Sequence, residues 1–281
     1  MPTILITGCS SGIGYYCAKA LQADGYQVFA TARQQADVDR LLREGFKSIK
    51  LDLQDSESIS YALDWVLQQT NQLDALFNNG AYGQPGAVED LSRNTLRQQF
   101  ETNLFGTHEL TCKVVKQMRK QGHGRIIQNS SVLGLITMKY RGAYNASKFA
   151  LEGLTDTLRQ ELSDTNIKVS LIEPGPIESS FRKNAHIAFT NNIDVETSAH
   201  KDIYTAVQRR LAKEKSVQKK DAFTLGPDAV YLALKHALES NRPKPRYYVT
   251  FPTKLFAILR RVLSTRGLDW VLNKISNSEN K

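Results

Sequence analysis

Thr3-Ile4-Leu5-Ile6-Thr7-Gly8-Cys9-Ser10-Ser11-Gly12-Ile13-Gly14 stands almost at the start of the chain and decides its fold. Residues 3 to 7 form a β-branched, apolar run that suits a buried strand, and Tyr15 to Ala23 reads as a helix. Strand, glycine turn and helix follow in that order. An ordinary tight turn needs one glycine, whereas this one has three, spaced Gly8-x-x-x-Gly12-x-Gly14. Glycines let a backbone approach a pyrophosphate, and the helix start offers it unpaired N–H groups and a positive dipole. The turn is therefore a variant of the dinucleotide-binding fingerprint.

The second strand, Gln27 to Ala32, closes the first βαβ unit and is followed by Arg33. An acid at this point would bond the ribose hydroxyls of NAD, whereas a guanidinium suits the 2′-phosphate of NADP. Ser11 can add a hydroxyl to the same phosphate. Lys47 to Leu53 reads as the third strand, with Asp52 either touching the adenine amine or capping a helix ahead of Ser56-Glu57-Ser58. A helix from Ile59 to Gln69, a strand from Ala75 to Phe77 and the turn Asn78-Asn79-Gly80-Ala81 follow.

Thr95 to Glu101 reads as a helix leading to Asn103, inside an apolar-periodic segment that reaches Met118. Such an asparagine is expected to be hydrogen-bonded and to bend its helix by engaging its own backbone. Gly124 to Ser131 reads as the fifth strand, Tyr144 to Leu162 as a helix and Lys168 to Ile172 as the sixth strand, stopped by Glu173-Pro174-Gly175-Pro176-Ile177. The alternation predicts an α/β chain: one single-domain Rossmann-type fold over residues 1–281, a doubly wound parallel sheet with helices on both faces. Ligands bind at the carboxyl ends of such strands, where the glycine turn, Asn78, Ser131 and Pro174 all fall.

Tyr144 and Lys148 lie four residues apart, on one face of a helix. A nearby ammonium favours the phenolate, so the pair can move a proton to or from a substrate oxygen. From 179 to 225 the pattern loosens into a polar stretch with a helix expected from Ile203 to Lys213, read as a lid over the substrate. Its Phe181, Ile187, Ala188, Phe189 and Phe223 suggest an apolar pocket. Gly226-Pro227 starts a helix through Leu238, and Tyr247 to Thr250 reads as an edge strand. Residues 252–281 form an extension whose segment Leu255 to Leu263 is amphipathic and basic. That segment can dock on this protein, on a second subunit or on an anionic membrane surface, and docking on protein is the favoured reading.

Bulk properties narrow the classes. The 281 residues are 41% hydrophobic and 23% charged, an ordinary globular composition with no run long enough to span a membrane. The start lacks a signal-peptide pattern, and Cys9, Cys17 and Cys112 lack metal-ligand spacing; no metal site and a reducing cytoplasm are expected. The net charge of +9 is spread without a nucleic-acid motif, so no nucleic-acid partner is expected.

With these residues in hand, the first 180 or so resemble the short-chain dehydrogenase/reductase family. The turn from Thr7 to Gly14 matches the family's cofactor turn, and Asn103, Ser131, Tyr144 and Lys148 match its catalytic tetrad. Ser131 is chosen over Ser130 because it lies thirteen residues ahead of Tyr144. The wording of the turn and the stretch Asn145 to Gly153 are similar to the 17β-hydroxysteroid and retinol dehydrogenase branch, which includes bacterial NADP-dependent aldehyde reductases.

The resemblance implies hydride transfer between a nicotinamide and a carbonyl or alcohol carbon of an apolar aldehyde, ketone, steroid or retinoid. Tyr144 would be the acid or base, Lys148 would lower its pKa and hold the nicotinamide ribose, Ser131 would bond the substrate oxygen and Asn103 would position a water. Cofactor contacts are expected from Gly8, Ser10, Ser11, Gly12, Ile13 and Gly14, from Arg33, Asp52 and Leu53, from Asn79, Gly80 and Ala81, and from Pro174, Gly175 and Ile177. Ser179 takes the place of a hydroxyl residue beyond that last turn. NADP is expected over NAD, and a homodimer through the helices bearing Asn103 and Tyr144. One departure is Asn78-Asn79-Gly80-Ala81 where the family has Asn-Asn-Ala-Gly; a shifted cofactor contact is expected. A non-catalytic sensor would be marked by loss of the Tyr or Lys, and an epimerase by other glycine spacing and a larger C-terminal domain.

Overall fold

Alternation along each strand divides the core into two. Ile4 and Ile6 of β1 (Thr3–Ile6) face one side of the sheet and Leu5 the other, and in β2 (Gln27–Ala32) Val28 and Ala30 part from Phe29 in the same way. A computed structural model of the chain describes residues 1–212 and 223–279. Its seven strands are all parallel, in the order β3-β2-β1-β4-β5-β6-β7. The remaining strands are β3 (Lys47–Lys50), β4 (Ala75–Asn78), β5 (Gly124–Asn129), β6 (Ile167–Glu173) and β7 (Arg246–Tyr248). The first face is covered by α1 (Gly12–Ala23), α2 (Gln35–Arg43) and α9 (Asp228–Glu239), through Cys17, Leu21, Leu41 and Leu234. The second is covered by α3 (Ser56–Gln69), α5 (Thr107–Gln121) and the far end of α6 (Gly142–Glu161), with Ile59, Val66, Leu110 and Met118 buried. The chain order reverses between β1 and β4, which opens a crevice at their carboxyl ends.

Several elements differ from the sequence reading. Helix α2 was not anticipated: it is nine residues of mostly polar sequence that bury only Val38 and Leu41. The third strand stops at Lys50 and the fifth at Asn129, so Asp52, Leu53, Ser130 and Ser131 lie in the turns above the sheet. Among its described residues the lid contains two helices, α7 (Phe181–Asn192) and α8 (Lys201–Ala212). The second corresponds to the helix expected from Ile203 to Lys213; Lys213 and the lid residues 213–222 lie outside the described residues. Both pack into a third small core of Ala185, Phe189, Ile193, Tyr204, Val207 and Leu211. The C-terminal extension holds two helices, α10 (Phe251–Val262) and α11 (Thr265–Glu279). Among the described residues no helix is long and apolar enough to cross a membrane, and no cluster of side chains could hold a metal ion.

Candidate active site

The glycine turn is a backbone feature that side chains would destroy. Gly8 and Gly12 take positive φ values of 72° and 59°, where L-residues are strained. A Cβ on Gly14 would lie 2.4 Å from the Gly8 carbonyl oxygen and 2.5 Å from Asn79 Nδ2, so the start of α1 sits directly on the end of β1. Ser11 precedes α1 without capping it through its side chain, and the first turn holds no acid. The positive end of the helix is thus left for an anion.

Asparagines tie the neighbouring strand ends to this turn. Asn79 Nδ2 donates to the carbonyls of Thr7 (3.0 Å) and Gly8 (3.2 Å), while Asn129 Nδ2 donates to Asn79 Oδ1 (2.9 Å). The Thr7 hydroxyl accepts from the backbone N–H groups of Asn79 (2.9 Å) and Gly80 (2.8 Å). Gly80 packs on Gly8, where a Cβ built on Gly8 would come within 2.8 Å of the Gly80 Cα, and Ala81 follows half-buried.

Ser10, Arg33, Asp52 and Leu53, expected from the sequence to face the cofactor, lie in the turns that follow β1, β2 and β3. Arg33 is exposed just past β2. Arg40 of α2, missed because the helix was missed, donates to the Ser10 carbonyl (2.7 Å) and stacks over the Tyr15 ring at 5.2 Å. Asp52 does not cap α3. Asp55 does, accepting from the N–H groups of Glu57 (2.9 Å) and Ser58 (3.3 Å), while Asp52 Oδ1 accepts from Gln54 N. Leu53 is buried against the turn at Gly106, where a Cβ would lie 1.7 Å from the Leu53 carbonyl oxygen.

Between α4 (Arg93–Phe100) and α5 the helix widens into a π-turn over Glu101–Gly106, which carries Asn103. The expected bond from Asn103 to its own helix backbone is absent: its partners lie on other segments. Its Oδ1 accepts from Tyr82 N (3.1 Å), and its Nδ2 donates to Tyr82 O (2.9 Å) and Ser147 Oγ (3.2 Å). Ser147 Oγ in turn donates to the Tyr144 carbonyl (2.8 Å), so Asn103 braces the first turns of α6.

Adjacent hydroxyls at the end of β5 point to different partners. Ser131 Oγ accepts from Leu133 N (3.1 Å) and stands beside the Tyr144 phenol, whereas Ser130 Oγ donates to Glu152 Oε1 (2.7 Å). Val132 N donates to Pro174 O (2.8 Å), which joins this turn to the one after β6. There Gly175 lies so close to Thr250 that a Cβ would come within 2.2 Å of its Oγ1. Ile177 pairs with Leu225, and Ser179 packs against Gly12, where a Cβ would lie 3.0 Å from its own.

Lys148 Nζ lies 5.7 Å from the centre of the Tyr144 ring and donates to Asn129 O (2.7 Å). Burial pushes the phenol up to about 12 against the influence of the Ser131 hydroxyl, and pulls the ammonium down to about 8 against the charge of Glu152. The expected lowering of the tyrosine by its lysine is therefore absent among the chain's own groups: burial of the phenol sets the direction.

Behind these residues is a buried carboxylate cluster that sequence reasoning missed. Arg246 Nη1 donates to Glu152 Oε2 (2.6 Å) and Glu173 Oε1 (2.5 Å), and Nη2 donates to Asp156. Glu173 is fully buried with no partner for Oε2, and burial first, then the Glu152 charge, push it up to about 8 against Arg246. The available signal was Glu152, four residues past Lys148 on the same helix.

Of the five apolar lid residues named from the sequence, one meets the site. Phe181 lies edge-on to the Tyr144 ring at 5.3 Å and closes on Gly83, where a Cβ would come within 2.6 Å of its ring. Phe189 is instead core, Ala188 half-buried and Ile187 exposed, and Phe223 stacks on Phe251 at 5.8 Å. The reason is helical: Ala185 and Phe189 share the inward face of α7.

Comparison with known proteins agrees with this architecture. Residues 2–188 match the short chain dehydrogenase family. The chain is 42% identical to the uncharacterized oxidoreductase YbbO of Escherichia coli K12 over 272 residues, covering 96% of this chain and 93% of that one. It is 32% identical to human retinol dehydrogenase 8 over 281 residues, covering 95% and 87%. A solved short-chain dehydrogenase from Streptomyces avermitilis superposes with a TM-score of 0.75 at 27% identity, covering 99% of this chain and 97% of that one. With a glycine turn, a Ser131–Tyr144–Lys148 cluster and a seven-stranded parallel sheet, this chain belongs to the short-chain dehydrogenase/reductase family.

Proposed function

We propose that this protein is an NADP(H)-dependent oxidoreductase that reduces the carbonyl group of an apolar aldehyde or ketone, steroid- or retinoid-like substrates included. The observation that carries the reading is the meeting of Tyr144, Ser131 and Lys148 at the strand ends beside the glycine turn. The chain's residues fit a nicotinamide dinucleotide: the turn leaves no room for a Cβ at Gly8 or Gly14, and the start of α1 carries neither an acid nor a side-chain cap. When bound, that cofactor supplies the hydride. NADP is favoured because Arg33 stands where an acid would select NAD, and Arg40 reaches the carbonyl of Ser10 in the same turn.

In this reading Ser131 and the Tyr144 phenol bond the substrate carbonyl oxygen. Burial keeps the phenol protonated at neutral pH, which suits a proton donor and hence reduction. Lys148, held by Asn129 O, supplies the positive charge that stabilises the phenolate left behind and bonds the cofactor's ribose. Asn103 and Ser147 hold α6 in register, and Phe181 covers the tyrosine with an apolar ring. The name of the retinol dehydrogenase relative supports an apolar alcohol or carbonyl substrate. A homodimer would pair the helices bearing Asn103 and Tyr144, where Phe105 and Leu154 are exposed.

Tyr144→Phe tests the assignment. Turnover should fall by about 10²–10⁴-fold with NADPH affinity nearly unchanged, since only the proton donor is removed. Full activity in that variant would overturn it.

A further inference from the structure

A surface helix normally turns its apolar stripe inward and its polar face to water. Helix α10 is apolar on both sides. Its inner side buries Phe256 and Ala257 in a core with Leu133, Ile136 and Leu272, and Thr253 is buried as well. Its outer side carries Phe251, Leu255, Ile258 and Val262, which recur every three to four residues and are 61%, 39%, 60% and 74% exposed. The stripe is extended at its start by Phe223, half-exposed and stacked on Phe251. Among the described residues, packing of the helix on its own protein takes up the inner side alone and leaves this second stripe uncovered.

We propose that the outer stripe of α10 docks this protein on the surface of an anionic lipid bilayer. Charge selects that occupant. Lys254 and Arg261 are exposed and lie together beside the stripe, Arg260 is exposed above the Phe149 ring, and α10 contains no acid. An apolar stripe edged by cations matches the interface of a bilayer, where apolar side chains enter the acyl boundary and lysines and arginines meet phosphate. A second copy of the chain fits less well, because a two-fold contact through this face would bring like charges together. The helix also begins beside the site, with Thr250 packed on Gly175, so docking would set the site's mouth near the lipid. The inference does not depend on which reaction the protein performs.

Flotation of the full-length protein with vesicles tests it directly. Vesicles of equal parts phosphatidylglycerol and phosphatidylcholine should carry the protein at low salt, and pure phosphatidylcholine should carry at least about tenfold less. Ile258→Asp with Val262→Asp, both at exposed positions away from the site, should lower the bound fraction by about tenfold or more while leaving reduction of a water-soluble carbonyl unchanged. Lys254→Glu with Arg261→Glu should abolish the preference for the anionic vesicles. Light scattering runs alongside. Absence of binding to anionic vesicles, or wild-type binding by the Ile258 and Val262 double variant, overturns the proposal. So does a double variant whose only change is a smaller oligomer, which would assign the stripe to a second copy of the chain.

Discussion

The strand ends at the glycine turn and the lid above them are held by opposite means. At the turn, asparagine and threonine side chains bond the backbone and one another: Asn79 alone bonds the Thr7 and Gly8 carbonyls and the Asn129 side chain. The lid is held by a small apolar core around Phe189 and Tyr204 and a few polar anchors, such as Asn192 to Gln84 (2.8 Å) and Ala87 N to the Tyr204 hydroxyl (2.8 Å). The first kind of construction fixes positions closely and tolerates no added atom. The second can shift its packing with local cost only, which suits the role proposed for it as a cover over the substrate.

The largest effect should come from adding one methyl group at the rigid end. Gly14→Ala forces a Cβ to within 2.4 Å of a backbone oxygen. Stability should fall by about 1–3 kcal/mol, and dinucleotide affinity should be largely lost. Thermal melts with and without NADPH read both, and a wild-type response to the cofactor would break the contrast.

The next test uses pH. In the proposed mechanism reduction needs Lys148 charged, and burial, outweighing Glu152, pulls its ammonium down to about 8. The value of kcat/KM should therefore decline as pH rises through about 8. Glu152→Gln removes a charge that favours the ammonium, so the decline should move to lower pH, and Glu152→Asp should restore part of it. A profile unmoved by Glu152→Gln would leave Glu152 a purely structural group.

The smallest effect should lie in the lid. Phe181→Ala removes the ring from Tyr144 and opens space at Gly83. KM for bulky carbonyls should change severalfold while cofactor affinity stays as in the wild type. A loss of cofactor affinity instead would show that the lid and the turn are not separable.

The contrast also explains what could be read from the sequence. Strand alternation and three glycines are local signals, so β1, the turn and α1 were legible, as was the parallel order of the sheet. The counting rule that prefers Ser131 to Ser130 is local too, and the two side chains do take different partners. What was not legible depends on distant contacts. Asn103 bonds a backbone 21 positions away, and Arg246 gathers Glu152 and Glu173 from 94 and 73 positions away. In the lid, Phe181 and Phe189 look alike in sequence; they stand two turns apart along α7, one at its start against the tyrosine and the other in the core. The pKa expectation failed for a similar reason, since spacing reveals the lysine but not the depth of burial.

The central claim is that Tyr144, Ser131 and Lys148 reduce apolar carbonyls with hydride from NADPH. Steady-state oxidation of NADPH across aldehydes and ketones of increasing apolar size, with NADH alongside, tests it most directly. The account predicts steady turnover, higher kcat/KM for the more apolar carbonyls and a clear preference for NADPH over NADH. No turnover with any carbonyl, by protein that binds the cofactor, would contradict it.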